Sequence, residues 1–554
     1  MNVSKFGLLT AGLSLVAMPQ AALADSPPLS NPAIEAACLA LNDIGKFASS
    51  ADRPVSITSA RYVTDAKEAL AVQFMFFKRS VVQGMPIKTA TGAAENNLRK
   101  LPGHCRVEGY VAPSVRFLIA LPAADKWNGD VVLNGCDAFC GLIDEDAIVA
   151  GLMNGYATIT TDGGHINRPW FDGTWGYNNR QAEKDFGYEA SHLGAQVVKA
   201  VAASYYGKQH KNSFLVGFSK GGSAGIKSAL TYPEDFDGIL SRAPVVRYQD
   251  INAIRLPYLY KANTRADGTP ILDEDDSPLV HKAAIASCDA VDGLKDGIID
   301  DPRKCNFDPG VLLCKSTFKK GECLTAEQVG TLRKVYAIPT NDKGQKSYPY
   351  PVEVGSEMGW HGFVVANRPG GDLYQGQMLG MTWLKYLAFD KDPGAKFDWL
   401  NWDPVANSAE LDAMRPIFDA NDTDLKAFQA AGGKMIVIHG WGDAAVSARM
   451  TIEWYEKMKA AMGGNVDDFV RLYLPPGSNH GHGGDGPYMN ESMAALSDWV
   501  KRGSAPDAMI FKQPDDVTGE ILRTRPVYPY PALEKYKGRG DVNDAANFKR
   551  VLPK

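Results

Sequence analysis

A chain of 554 residues exceeds the roughly 100–200 residues of one ordinary domain, so a large core carrying an insertion is expected. Hydrophobic residues make up 45% and charged residues 22%, near globular averages, which excludes wholesale disorder, collagen and coiled coil. Lys+Arg 59 against Asp+Glu 64 leaves a net charge of −5 with no dense basic run, which excludes a nucleic-acid footprint and leaves small molecules as expected partners.

Lys5, an apolar run from Phe6 to Met18, and Ala22-Leu23-Ala24 before Asp25 read as a secretory signal, residues 1–24, with an A-x-A cleavage site. The run falls short of the about 20 apolar residues of a membrane span, and no later stretch reaches that length. The mature chain is therefore expected to be secreted or periplasmic, with no membrane span. In that compartment its eight cysteines, Cys38, Cys105, Cys136, Cys140, Cys288, Cys305, Cys314 and Cys323, are expected as disulfides. Cys136 and Cys140 hint at a metal pair, but no second Cys or His pair lies at structural-zinc spacing.

In chain order, Val131–Leu133 reads as a short strand running into the turn-rich loop Asn134–Gly141, and Tyr156–Thr161 as a second strand ending at Asp162-Gly163-Gly164-His165. Apolar residues recur at helical spacing from Ala190 to Tyr206, and Ser213–Val216 is the next strand. After a long gap, Lys434–Ile438 and Phe469–Leu474 repeat the strand pattern around a helix from Ala448 to Met462. Strands alternating with helices predict a mostly parallel α/β sheet. The expected division is a first core part at 25–247, an inserted lid domain at 248–424 and a second core part at 425–554. The Pro- and Tyr-rich stretch from Pro526 to Pro531 is expected to wrap the surface in extended form.

Gly217-Phe218-Ser219-Lys220-Gly221 stands between the Ser213 strand and a helical run. This strand–turn–helix context makes G-x-S-x-G a nucleophile elbow, with Ser219 lifted above the sheet. Serine needs a base oriented by an acid, in the chain order Ser, Asp or Glu, His. Asp443 follows the Lys434–Ile438 strand and its turn His439-Gly440-Trp441-Gly442. His480 follows the strand ending at Leu474. Both emerge at the edge that carries Ser219. His482 is the competing base, while His165 and His439 are read as structural or pocket-lining. The oxyanion donors are expected at the backbone N–H of Lys220 and at Ala138 in the Gly135–Gly141 loop. The Lys220 ammonium is expected in solvent.

Within the insertion, Cys288-Asp289-Ala290-Val291-Asp292-Gly293-Leu294-Lys295-Asp296-Gly297-Ile298-Ile299-Asp300 sets carboxylates at short spacing among glycines, which suits an oxygen-ligated hard cation such as calcium. The spacing is not that of an EF-hand. Trp360, Trp383, Trp399 and Tyr374 are candidate pocket aromatics that fit a core role better.

Leu101–Gly109, Trp127-Asn128-Gly129, the Ser219 elbow, Tyr232–Gly238, His439–Asp443 and Pro476–His480, in that order, make the chain resemble the tannase and feruloyl esterase family of α/β-hydrolases, which includes mono(2-hydroxyethyl) terephthalate hydrolases. The resemblance implies Ser219 as nucleophile, Asp443 as orienting acid and His480 as base. It also implies a structural calcium on the side chains of Asp289, Asp292 and Asp296 and the carbonyls of Leu294 and Ile298. The implied bridges are Cys288–Cys305, Cys314–Cys323 and Cys38–Cys105, leaving Cys136 with Cys140. The family usually joins nucleophile and base by a disulfide between neighbouring cysteines, where this chain has Phe218 and Gly481.

The expected protein is a secreted serine carboxylic-ester hydrolase acting on aromatic-acid esters of feruloyl, galloyl or terephthalate-monoester type, through an acyl-enzyme. Alternatives are acyl transfer or lactone hydrolysis by the same residues, or a non-catalytic polyphenol- or carbohydrate-binding protein on this fold.

Overall fold

The computed structural model describes residues 32–43, 45–64, 102–167, 171–366, 375–515 and 518–553. The expected signal segment and Tyr374 lie outside them. Its centre is a nine-stranded sheet in the order β1-β2-β3-β5-β4-β6-β7-β8-β9. The strands are β1 (Val55–Val63), β2 (His104–Val111), β3 (Val115–Pro122), β4 (Val131–Asn134), β5 (Ala157–Thr161), β6 (Ser213–Phe218), β7 (Gly238–Arg242), β8 (Lys434–Ile438) and β9 (Val470–Tyr473). Strands β1 to β3 and the β3–β5 pair are antiparallel, and from β5 across to β9 every pair is parallel.

The parallel strands are short apolar runs because both of their faces are covered. One cross-strand row, Leu133, Leu215, Ile239, Met435 and Val470, enters the larger core, which includes Leu193, Val197 and Val201 of the helix Ala190–Tyr206. The alternate residues Val132, Phe214, Val216, Leu240 and Ile436 face a second core with Leu496 and Trp499 of the helix Ser492–Arg502. The side-chain period of two sorts each strand between these layers. Truncating a fully buried member such as Leu215 to Ala would cost about 2–5 kcal/mol.

The chain leaves the sheet at Arg242 and re-enters it at Lys434, a span that contains the expected insertion. Its described part is helical and irregular, with helices at Leu256–Ala262, Ser277–Cys288, Ala326–Val335 and Gln375–Tyr386. It has its own core of Leu259, Val280, Leu332 and Trp360, while Trp383 and Trp399 pack into the larger core. The three tryptophans are buried, so they serve packing.

The C-terminal stretch differs from the expected surface wrap. Residues β10 (Met509–Pro514) and β11 (Ile521–Val527) form a hairpin whose Phe511 and Val527 close the second core, and β12 (Leu533–Tyr536) pairs with β13 (Phe548–Val551). Along β11 exposure falls from Ile521 to a buried end at Arg525, Pro526 and Val527, which the Pro and Tyr content conceals. The disulfides are Cys38–Cys105, Cys136–Cys140, Cys288–Cys305 and Cys314–Cys323, the pairing that the resemblance implies. No helix among the described residues is long and apolar enough to cross a membrane.

Candidate functional site

Strands β6, β8 and β9 run parallel, so the loops at their carboxyl ends gather on one edge, where open α/β sheets bind ligands. The first of these loops is the elbow. Ser219 has φ 55° and ψ −116°, a conformation that costs a non-glycine residue of order 1–3 kcal/mol and is imposed between β6 and the helix Lys220–Thr231. The Ser219 amide donates to the Arg242 carbonyl at 2.9 Å, tying the elbow to β7.

Asp443 is fully buried after β8. Its Oδ1 accepts the amides of Ala445 at 2.9 Å and Val446 at 2.8 Å, and its Oδ2 accepts His480 Nδ1 at 2.6 Å and His439 Nε2 at 3.1 Å. Burial opposes ionisation, but the charge of His480 and the hydrogen bonds from His439 and His480 outweigh it and hold the carboxyl well below the usual range. His439 Nε2 also lies 2.9 Å from the Val446 carbonyl oxygen, and its Nδ1 lies 2.8 Å from the Thr451 hydroxyl. It is therefore a second orienter of Asp443, as its structural reading expects.

His480 sits at the tip of a hairpin closed by Asn479 N–H on the Gly483 carbonyl and Gly486 N–H on the Gly477 carbonyl. Its ring lies 4.6 Å from that of Phe218, the residue before Ser219. A Cβ on Gly481 would stand 2.3 Å from Phe218 Cε2, so the Phe218 ring fills the space beside the hairpin tip. The Phe218 ring thus stands between the elbow and the hairpin tip, and no hydrogen bond joins Ser219 to His480 among the described residues. The competing His482 is exposed, and Asp443 takes His480.

Opposite the elbow lies the loop after β4. The Cys136–Cys140 bridge closes it, Gly141 N–H donates to the Asp162 carbonyl at 2.8 Å, and Tyr248 Oη donates to the Ala138 carbonyl at 2.8 Å. Ala138 takes φ 50°, an uncommon left-handed conformation for a residue with a Cβ. His165 braces the loop, with Nε2 on the Phe139 carbonyl at 2.7 Å and its ring stacked 3.6 Å from Trp175. Burial pulls its pKa down to about 4, so the ring is neutral and donates.

Lys220 corrects one expectation. Its side chain is buried, not solvated, and its ammonium lies 4.6 Å from the centroid of the Phe186 ring. The π-helical turn Asp185–Glu189 packs over the start of the Lys220–Thr231 helix and covers it. Burial, with Lys227 adding to it, pulls the ammonium down to about 7. The Lys220 amide opens that helix, where no preceding turn supplies a partner carbonyl.

The expected calcium segment offers oxygen donors alone, which is the chemistry of a hard cation. Asp289 Oδ1 accepts the amides of Asp296 and Gly297, Asp292 Oδ1 accepts Leu294 N–H, and Asp296 pairs with the buried Arg525. Asp292 also meets Asp300, and Glu534 approaches from β12. Burial and these crowded carboxyls push Asp300 well above its usual range and Glu534 up to about 7. The crowding that Arg525 leaves around Asp300 and Glu534 is of the kind a cation relieves, and carboxylate and carbonyl oxygens are the donors a hard cation takes. Among the described residues no three His, Cys, Asp or Glu side chains form a ready cluster, and Asp296 is committed to Arg525.

A mono(2-hydroxyethyl) terephthalate hydrolase from Piscinibacter sakaiensis is 32% identical over 532 residues, covering 84% of this chain and 86% of that one. A probable feruloyl esterase B-1 from Aspergillus oryzae is 27% identical, covering 82% and 85%. Among solved structures, an esterase from Aspergillus oryzae superposes with a TM-score of 0.75 at 25% identity, over 94% of this chain and 100% of that one. The fold is accordingly an α/β-hydrolase core with a large insertion. The signature described as tannase and feruloyl esterase matches residues 99–551, and the chain belongs to that family of carboxylic ester hydrolases.

Proposed function

We propose that this esterase cleaves esters of aromatic acids with Ser219, His480 and Asp443, through an acyl-enzyme. The observation that carries the reading is the 2.6 Å contact of His480 Nδ1 with the buried Asp443, on the sheet edge where the elbow lifts Ser219. His480 Nε2 takes the hydroxyl proton as Ser219 Oγ attacks the ester carbonyl carbon. The amides of Lys220 and Ala138 then hold the oxyanion. Collapse breaks the bond to the alkoxide, which leaves with the proton from His480. A water loses a proton to the same nitrogen, attacks the acyl-enzyme, and the acid departs as Ser219 recovers its proton. Asp443 stays ionised throughout and stabilises the imidazolium.

The substrate class follows from the relatives, one named for a terephthalate monoester and one for feruloyl esters. Four disulfides and the leader-like residues 1–24 support export. The insertion serves as the lid, at 248–424. Asp289, Asp292 and Asp296, with the carbonyls of Leu294 and Ile298, would hold calcium there, whose charge neutralises the carboxyls and stiffens the turn. The test is a screen of the purified enzyme against methyl ferulate, methyl gallate and a terephthalate monoester, with stoichiometric capture of a serine-directed phosphonate at Ser219. Turnover of none of the three esters would sink the substrate class, and labelling elsewhere would sink the nucleophile.

A further inference from the structure

The hairpin 477–486 is rich in glycine, so its backbone has wide freedom and the position of His480 depends on what holds it from outside. On its outgoing limb the Ser478 carbonyl accepts Gly442 N–H at 2.9 Å. On its returning limb stands Asp485, and there the insertion takes hold. His281, on the helix Ser277–Cys288, reaches Asp485 Oδ2 from Nε2 at 3.0 Å and Glu357 Oε2 from Nδ1 at 2.9 Å. Glu357 is fully buried, and its other oxygen accepts the Tyr336 hydroxyl at 2.6 Å and Gly355 N–H at 2.9 Å, so the carboxylate is fixed. A ring between two carboxylates donates from both nitrogens and is an imidazolium. Burial opposes that charge, but Asp485 and Glu357 outweigh it and hold the pKa up at about 9. The same part of the insertion touches the hairpin tip. A Cβ on Gly359 would lie 3.1 Å from Asn479 Cγ, and the Phe363 ring is 6.4 Å from His480.

We infer that His281 is a positioning residue for His480: clasped between Glu357 and Asp485, it ties the insertion to the hairpin and sets how the base meets Ser219. The inference rests on His480 being the base proposed above. The other holds on this limb go to main-chain oxygens, from Gln513 to Gly484 and from Arg523 to Asp485. Of these three holds, the His281 clasp is the one that pairs a cation with a side-chain carboxylate.

Kinetics of the full chain on p-nitrophenyl acetate, per active site counted by phosphonate labelling, test this. His281→Gln and Asp485→Asn should each lower kcat about tenfold to a hundredfold with KM changed less than about twofold, as lost positioning does. The double variant should be no slower than the worse single one. In the wild type kcat should fall near pH 9, and His281→Lys, which keeps its cation to higher pH, should retain kcat and move that fall upward. The groups facing the ring are Glu357 and Asp485, with Tyr336 behind the first and Arg523 beside the second. Unchanged kcat in both single variants, losses that multiply, or an alkaline fall unmoved in His281→Lys would overturn the inference. If His480→Ala abolishes labelling and turnover while both single variants keep full kcat, the positioning role alone fails. Full turnover in His480→Ala would instead remove the triad.

Discussion

Gly135 and Gly221 meet backbone to backbone: a Cβ on Gly135 would stand 2.8 Å from Gly221 Cα, and one on Gly221 3.1 Å from the Gly135 carbonyl carbon. Gly135 opens the loop that carries Ala138, and Gly221 follows Lys220 in the helix after Ser219. The spacing of the two proposed oxyanion amides is thus set by a contact with no flexible side chain to yield. Gly135→Ala should push the loop outward and lower kcat about a hundredfold, with a smaller change in KM, since one donor of such a pair is worth about 10²–10³. Steady-state kinetics on folded variant would show it, and wild-type kcat would remove the loop from the oxyanion site.

Ser219→Ala and His480→Ala should each lower kcat by on the order of 10⁴-fold or more, and Asp443→Asn nearly as much. Asp443 is also structural, because asparagine keeps only one of its two acceptor oxygens and sets an NH2 against either the two amides at Oδ1 or the two histidines at Oδ2. Asp443→Asn should therefore lower the melting temperature as well, whereas Ser219→Ala keeps the elbow backbone and its Cβ, removes a hydroxyl with no hydrogen bond among the described residues, and should not. Calorimetry beside the kinetics separates the two effects.

The parallel strands were legible because burial on both faces leaves plain apolar runs between turn residues, and the positions of the proposed Ser219, Asp443 and His480 at strand ends were legible because each follows such a run. Strand β2 was not: its outward face carries Arg106 and Glu108, which bond each other, and Arg106 also reaches Glu145, so polar residues break the run. Strand β7 ends in Ser241 and Arg242, buried polar residues of which Ser241 is satisfied by the Gly222 carbonyl at 2.9 Å, a partner from the elbow helix that no local pattern shows. Lys220 was misplaced for the same reason, since what covers it comes from another segment. The role of His439 was within reach, four residues before Asp443, but it requires knowing that the carboxylate is wholly buried and needs every donor it can find.

Calcium should stabilise the full chain, and chelation should lower its melting temperature with calcium restoring it. At calcium near 100 times its Kd the linkage is worth about 2.7 kcal/mol. Asp292→Asn should abolish that response, yet raise the melting temperature in chelator by removing one of the crowded carboxyls beside Asp300. Differential scanning calorimetry with and without chelator reads both signs. Identical melting in calcium and chelator would remove the ion from the segment.

Two histidines should bend stability in opposite directions with pH. His165 has a pKa of about 4 in the fold against 6.5 as its ordinary value, so the unfolded chain binds more protons between these values, and stability falls as pH drops from 6.5 to about 4. His281, held up at about 9, contributes fully below pH 6.5 and loses its contribution as pH rises through about 9. Melting temperature against pH should show both limbs. His165→Gln should flatten the acid limb and His281→Gln the alkaline one, and a variant whose curve keeps the wild-type shape refutes the assignment for that histidine.

Phe218 and Gly481 supply a distance test of the proposed nucleophile and base. With the ring in place, position 481 has no room, so Gly481→Cys alone should destabilise the fold. Its φ of +76° adds strain of about 1–2 kcal/mol for a residue with a Cβ. Phe218→Cys removes the ring and sets a second thiol facing the first, and a bridge forms where the two Cβ atoms come about 3.5–4.5 Å apart. Closing so long a loop is worth up to about 5 kcal/mol by chain entropy, from which the strain at 481 and the lost packing of Phe218 subtract. The oxidised double variant should melt above its own reduced form by less than that full amount implies. Mass spectrometry after mild oxidation should find both new thiols consumed. Both thiols free in folded protein would mean that the hairpin tip does not sit against the elbow, and His480 would then be too far from Ser219 to take its proton.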